Sequence, residues 1–238
     1  MVAERIWQNG QIQNCPQNGT LPPQSQTQSA ASTKLQARPA GWHDVQKNIP
    51  LALLALQNWF GKGKRLRYLC QDEMRVGLKT ETGRVITASG VKPLAQVEWK
   101  RDNFWVYGVV EPHSGWHFEQ EYDHLNSEQF QSFLDALSTA LGQDIALIQL
   151  DQAKAHQALA LRWSENLIPV FQPAQSPQLN PQERFWQLVR AYLEGEHFAN
   201  LTQLRQRLNQ ILAALLPEQV ASLTSYDFIL EALFYAAL

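Results

Sequence analysis

Ile145-Ala146-Leu147-Ile148-Gln149-Leu150-Asp151 is a nearly continuous apolar run that closes on an acid. Such a run fits a strand buried on both faces, as in a parallel sheet covered by helices. Its surroundings agree. Upstream, Ser127 stands where an N-cap would, and Phe130, Phe133, Leu134, Leu137 and Leu141 recur at helical spacing. Downstream, the pattern predicts a helix over about 155–165, a strand over 168–171, and, after a proline-rich loop, a helix from Pro181 with further helices to Leu238. Four stretches rich in β-branched and aromatic residues come earlier, at 67–78, 84–91, 104–110 and 116–122. Turn-formers separate them, notably Glu81-Thr82-Gly83 and Pro112-His113-Ser114-Gly115, and short connections favour antiparallel neighbours. The order predicts an α/β fold, a mixed sheet of antiparallel strands followed by parallel strands, flanked by helices.

The remaining sequence sets limits on this picture. Residues 8–40 are rich in Gln, Asn, Ser, Thr and Pro, a composition that buries too little apolar surface to offset its ordering entropy. The expected organisation is a disordered, low-complexity 1–44 followed by one domain, 45–238, with helices at its C-terminus. Leu51, Leu53, Leu54, Leu56, Trp59 and Phe60 suggest a helix ending at Gly61-Lys62-Gly63-Lys64, which lacks the spacing of a phosphate-binding P-loop. Cys15 and Cys70 form no CxxC pair and read as reduced thiols. No signal core stands at the N-terminus and no stretch approaches the ~18 apolar residues of a membrane helix, so a cytoplasmic chain without membrane contact is expected. The formal net charge of −2 is a weak footprint for a protein that holds DNA unaided, because non-specific affinity comes mainly from neutralised phosphates.

Three carboxylates on three elements carry the chemistry. In Tyr68-Leu69-Cys70-Gln71-Asp72-Glu73, strand alternation puts Asp72 and Glu73 on opposite faces, each face with apolar residues, so periodicity leaves both open. Asp151 closes the most apolar strand, at the carboxyl end, where ligands of parallel sheets usually bind. Glu183 lies in the first turn of the helix opening Asn180-Pro181-Gln182-Glu183. Each has a plainer reading: a solvated edge residue, a cap on the next helix, and the acid of a capping-box-like pattern.

Read together, Gln71-Asp72-Glu73-Met74-Arg75-Val76-Gly77-Leu78, Leu150-Asp151-Gln152-Ala153-Lys154-Ala155-His156 and Ser176-Pro177-Gln178-Leu179-Asn180-Pro181-Gln182-Glu183-Arg184-Phe185-Trp186 resemble the catalytic blocks of DDE transposases of the mariner superfamily, in its bacterial insertion-sequence branch. Gly90-Val91-Lys92-Pro93 and Tyr107-Gly108 resemble that branch too, and the likeness spans about 48–212. The resemblance implies an RNase H-like fold and maps the family's acids to Asp72, Asp151 and Glu183, favouring Asp72 over Glu73. It further implies that these three hold two Mg²⁺ ions, with Mn²⁺ as a substitute, and that His156 contacts a phosphate or orients water; a lone histidine on an early helical turn reads equally as a surface or packing residue. Gln152, Gln175 and Gln178 depart from the branch's usual residues without removing an acid.

Three carboxylates suit such a reaction. Two divalent ions about 4 Å apart activate an attacking oxygen and stabilise a leaving one, and Mg²⁺ takes hard oxygen donors. The implied activity is cleavage at the ends of a mobile element and strand transfer into target DNA. Its implied partners are DNA ends and target, a second copy of the chain, and a helix-turn-helix subunit to read the ends. The short, Lys- and Arg-poor region upstream also fits a non-catalytic transposase remnant, and a stand-alone RNase H-like nuclease is the third reading. Lys62, Lys64, Arg65 and Arg67 form the best local phosphate-binding candidate. Trp99 and Trp105 read as core packing rather than base stacking, and His113 and His117 as surface residues. Leu230, Leu233, Phe234 and Leu238 offer apolar surface for self-association.

Overall fold

The computed structural model describes residues 5–8, 11–14, 51, 54–55, 64–79, 100–153, 156, 161–173 and 176–237. The chain divides into two compact units, 1–37 and 38–238. In the first, β1 (Arg5–Gln8) and β2 (Gln11–Asn14) pair antiparallel, with Gln8 opposite Gln11. This hairpin falls inside the stretch expected to be disordered. Its signal is local: Asn9-Gly10, the dipeptide that favours two-residue hairpin turns, stands between Ile6-Trp7 and Ile12. The rest of that stretch lies outside the described residues, as does the strand expected over 84–91. Of the helix expected over 51–60, Leu51, Leu54 and Ala55 are described, and all three are helical.

The second unit is built on a five-stranded sheet ordered β5-β4-β3-β6-β7. The strands are β3 (Leu66–Gly77), β4 (Asn103–Val110), β5 (His117–Tyr122), β6 (Ile145–Leu150) and β7 (Leu167–Phe171). β3, β4 and β5 are successive antiparallel neighbours, whereas β6 runs parallel to both β3 and β7. This is the RNase H-like mixed sheet that the resemblance implies. All six residues of β6 are buried, as its unbroken apolar run requires. Pairing between β3 and β6 stops at Cys70–Gln149, while β3 and β4 remain paired as far as Gly77–Asn103. The sheet therefore forks two residues before Asp72.

Each face carries its own core. Helix α1 (Ser127–Leu141) lays Phe130, Phe133, Leu134 and Leu137 against Leu69, Tyr107, Val109, Ile148 and Leu150. Each such side chain contributes about 2 kcal/mol by leaving water. Asn126, not Ser127, is the N-cap of α1, its side chain accepting from the Gln129 N–H at 2.8 Å. The opposite face of the sheet bears Tyr68, Cys70, Met74, Val106 and Leu147. There it meets α2 (Pro181–Leu193), α3 (Leu201–Ala214), α4 (Pro217–Thr224) and α5 (Asp227–Ala237).

Three further expectations are corrected. Residues 161–165 are not helical. Gln131 of α1 accepts from the Arg162 N–H at 2.7 Å and donates to its carbonyl at 3.0 Å, so a side chain satisfies backbone that a helix would otherwise serve. Arg67 is no phosphate ligand, being buried and forked onto Glu111 through Nε (3.0 Å) and Nη2 (2.9 Å), with Trp116 4.0 Å from its guanidinium. His117 is not a free surface residue: its Nδ1 meets the Glu119 carboxylate at 2.9 Å and its ring packs on Phe185. His113 is exposed, and Trp105 packs against the α1 core. Cys70 is buried and reduced. On α5, Leu230 and Phe234 are exposed while Leu233 packs inward. Among the described residues no helix is long and apolar enough to cross a membrane.

Candidate active site

Asp72 sits on β3 just beyond the fork, on the face turned toward α2. Asp151 follows the last residue of β6. Because Cys70 pairs with Gln149 in the parallel register, Asp72 and Asp151 each lie two residues past that pair, at the same level of the sheet. Glu183 comes from the first turn of α2, and two features set that helix against β3. The Asn180 side chain donates from Nδ2 to the Gln71 carbonyl at 2.7 Å while its Oδ1 caps the Gln182 N–H at 3.1 Å. Gly108, the residue on β4 opposite Asp72, has no side chain to hold the helix off. A Cβ there would stand 2.5 Å from the Trp186 ring and 2.9 Å from Gln182 Nε2. Below the site, Gln149 accepts from the Tyr68 hydroxyl and donates to Gln172 Oε1 (2.8 Å) and the Leu179 carbonyl (3.0 Å), tying β3, β6 and the turn before α2 into one buried network.

The electrostatics match this convergence. Burial pushes the Asp72 carboxyl well above the usual carboxylate range, and the negative charges of Glu73, Glu183 and Asp151 push it further. Asp151 goes the other way. The His156 hydrogen bond holds it below its ordinary value despite partial burial, with help from the Ala153 N–H. His156 Nδ1 lies 2.7 Å from Asp151 Oδ1 and its Nε2 lies 2.7 Å from Glu73 Oε1. Burial alone would depress the imidazole, but these two carboxylates outweigh it and push it up to about 10.

Asp72, Asp151 and Glu183 are thus brought to one end of the sheet, and His156 is joined to Asp151 rather than left on the surface. Asp151 also has part of its plainer role, since Oδ1 accepts from the Ala153 N–H at 2.9 Å. Glu73, set aside in favour of Asp72, is tied to the site through His156. The signal for it was the acid pair Asp72-Glu73 together with a histidine five residues after Asp151. Among the described residues no group of three His, Cys, Asp or Glu side chains is set to cage an ion unaided. The donors still fit one. They are hard oxygens, their clustered charge weighs on a half-buried Asp72, and Mg²⁺ commonly takes only one or two carboxylates alongside water and substrate phosphate.

Comparison with known proteins adds to this geometry. A family model described as DDE superfamily endonuclease matches residues 67–205. An uncharacterized protein of Sinorhizobium fredii, y4pE/y4sA, is 30% identical over 87 residues, covering 36% of this chain and 64% of its own. The structure of a Mos1 transposase paired-end complex with left transposon end aligns with a TM-score of 0.58 at 16% identity, over 94% of this chain and 66% of that one. The catalytic domain of Mos1 mariner transposase aligns with a TM-score of 0.51 at 16% identity, over 81% of this chain and 91% of that domain. At such identities the two structures show a shared fold. The chain spans just under two thirds of the length of the curated relative and of the Mos1 chain in the paired-end complex.

Proposed function

Because this chain belongs to the DDE superfamily endonuclease family, we propose that it is the catalytic domain of a transposase, cutting DNA at the ends of a mobile element and joining them to target DNA. The observation that carries the reading is the meeting of Asp72, Asp151 and Glu183, from β3, the end of β6 and α2, at one end of the sheet. A pair of divalent ions, Mg²⁺ or Mn²⁺, bound by these three carboxylates would activate the attacking oxygen and stabilise the leaving one. The chain's own residues do the positioning. Asp72 presents its carboxylate from a strand paired on its β4 side, so its place is fixed by backbone. Asp151 is oriented by the Ala153 N–H and His156. Glu183 is placed by the Asn180 cap and by the close approach of α2 over Gly108. Water serves as nucleophile for cleavage and a 3′-hydroxyl for joining, so neither step needs a covalent bond to the protein.

Net charge supports a division of labour. At −2 the chain neutralises few phosphates by itself, so recognition of element ends falls to a separate helix-turn-helix module or subunit, and joining two ends calls for two copies. The exposed Leu230 and Phe234 on α5 are apolar surface suited to such pairing. The test is nicking of supercoiled DNA in Mg²⁺ or Mn²⁺ by the wild type and Asp151→Asn. Metal-dependent nicking that the substitution abolishes supports the reading. Equal background from two folded proteins, persisting when a DNA-binding partner is supplied, refutes it and leaves a non-catalytic remnant.

A further inference from the structure

Asp151 has a weakness that Asp72 does not share. It stands past the last residue of β6, in irregular backbone, beyond the last rung of the β3–β6 ladder, and its side chain is 46% exposed. Among the described residues, no strand pairing fixes its direction. What holds it is a line of side chains: Oδ1 meets His156 Nδ1 at 2.7 Å, His156 Nε2 meets Glu73 Oε1 at 2.7 Å, and that same Glu73 oxygen accepts from Gln71 Nε2 at 3.0 Å. The His156 ring is buried and lies 4.4 Å from the Phe130 ring of α1, so it has little freedom to turn. Asp151 Oδ1 is engaged twice, by His156 and by the Ala153 N–H. Oδ2 accepts no hydrogen bond from the described residues, which leaves it as the oxygen to offer a ligand.

We infer that Glu73 is a positioning residue: through the His156 ring it anchors the Asp151 carboxylate to β3. Strand alternation makes this economical. Asp72 and Glu73 leave β3 on opposite faces, so one dipeptide supplies one acid of the site directly and steadies a second acid across the fork. The relative placement of Asp72 and Asp151 is then set by a single strand instead of by a loop. Partners behind a metal-binding side chain typically change metal affinity about 10- to 100-fold when removed.

The inference rests on the metal-dependent reading above, and one experiment separates the two. Mn²⁺ binding to the full chain, without DNA, is followed by electron paramagnetic resonance for the wild type, Glu73→Ala, His156→Ala and the double variant, with thermal unfolding recorded for each. Each single variant is expected to bind about 10- to 100-fold more weakly, and the double variant no more weakly than the worse single one, because both break the same line. Wild-type affinity in Glu73→Ala overturns the inference, as do losses that multiply in the double variant, the pattern of two unrelated structural defects. If Glu73→Ala does not fold, Glu73→Gln takes its place, keeping the size and one acceptor oxygen but not the charge. Its expected loss is at least about threefold, since charge-assisted hydrogen bonds are about twice as strong as neutral ones, and no loss overturns the inference. A wild type that binds no Mn²⁺ sinks the metal-dependent reading and this inference with it.

Discussion

Replacing Gly108 with alanine tests how the third acid is placed. The added Cβ would lie 2.5 and 2.7 Å from two atoms of the Trp186 ring, against 3.4 Å for ordinary contact, so a gap of about 0.9 Å must open. Trp186 is fully buried between the sheet and its neighbouring helices and cannot swing aside. The strain therefore passes to α2, whose first turn carries Glu183. Overpacking of this kind typically costs about 1–3 kcal/mol. For a chain of this size, a cost of about 2 kcal/mol lowers the Tm by roughly 4–8 °C. The effect on DNA nicking should be larger than the effect on stability, because a shift of about 1 Å in a reacting group can cost about 100-fold in rate. Calorimetry and metal-dependent nicking measure the two. Trp186→Phe removes the two ring atoms in the way, so Gly108→Ala/Trp186→Phe should recover to the level of Trp186→Phe alone. A Gly108→Ala protein with wild-type Tm and nicking rate, or a double variant without recovery, would refute the reasoning.

The Arg67–Glu111 pair makes a prediction far from the site. Arg67→Met leaves a buried carboxylate facing Arg65, at 3.7 Å, and the weaker influence of His113, and should cost about 3–5 kcal/mol in urea unfolding. Adding Glu111→Leu should restore most of it, since an apolar pair can replace a buried ion pair with little loss. The same pair has a pH signature. Burial alone would raise Glu111, but the Arg67 fork and the Ser114 hydroxyl outweigh it and hold the carboxyl below its ordinary value. Its stabilisation is then complete above the ordinary carboxylate range and is lost as pH falls through the lowered value. Urea midpoints measured across the acid range should drop less steeply in Arg67→Met than in the wild type, and parallel curves would contradict this. Asn180→Ala removes an N-cap, worth about 1 kcal/mol, and strands the buried Gln71 carbonyl at about 1–3 kcal/mol more. Its urea midpoint should fall by that sum, and Asn180→Asp should keep the cap but not the amide donor.

Much of this was legible in the residues, for identifiable reasons. β6 reads as a doubly buried strand because six residues of nearly pure apolar character have no other stable home in a chain of this size. α1 and α2 are marked by spacing and by their caps, although the cap of α1 is Asn126, one residue before Ser127, and propensity does not separate the two because Asn and Ser cap about equally well. What escaped is what depends on partners distant in sequence. Arg67 looks like one of a phosphate-binding basic cluster until Glu111, 44 residues on, is folded beside it. Residues 161–165 carry helical periodicity, yet Gln131 satisfies the Arg162 backbone first. Glu73 gives way to Asp72 whenever only one acid of the pair is sought, because strand alternation hides that the second face has a use. The pairing of 5–8 with 11–14 has a local signal in Asn9-Gly10, which the polar composition of the surrounding residues obscures.

The fork in the sheet also bears on how this chain stays out of trouble. Among the described residues, β3 has a strand neighbour on one side only from Gln71 to Gly77. A strand flank left open in this way is a template on which a foreign strand can add, the first step of sheet-to-sheet aggregation. Here the first backbone acceptor past the last rung, the Gln71 carbonyl, is already taken by the Asn180 amide, and the start of a helix stands where an intruding strand would have to begin. The residue that aims Glu183 therefore also closes the edge, and its loss should show as clumping at high concentration even where the remaining fold survives.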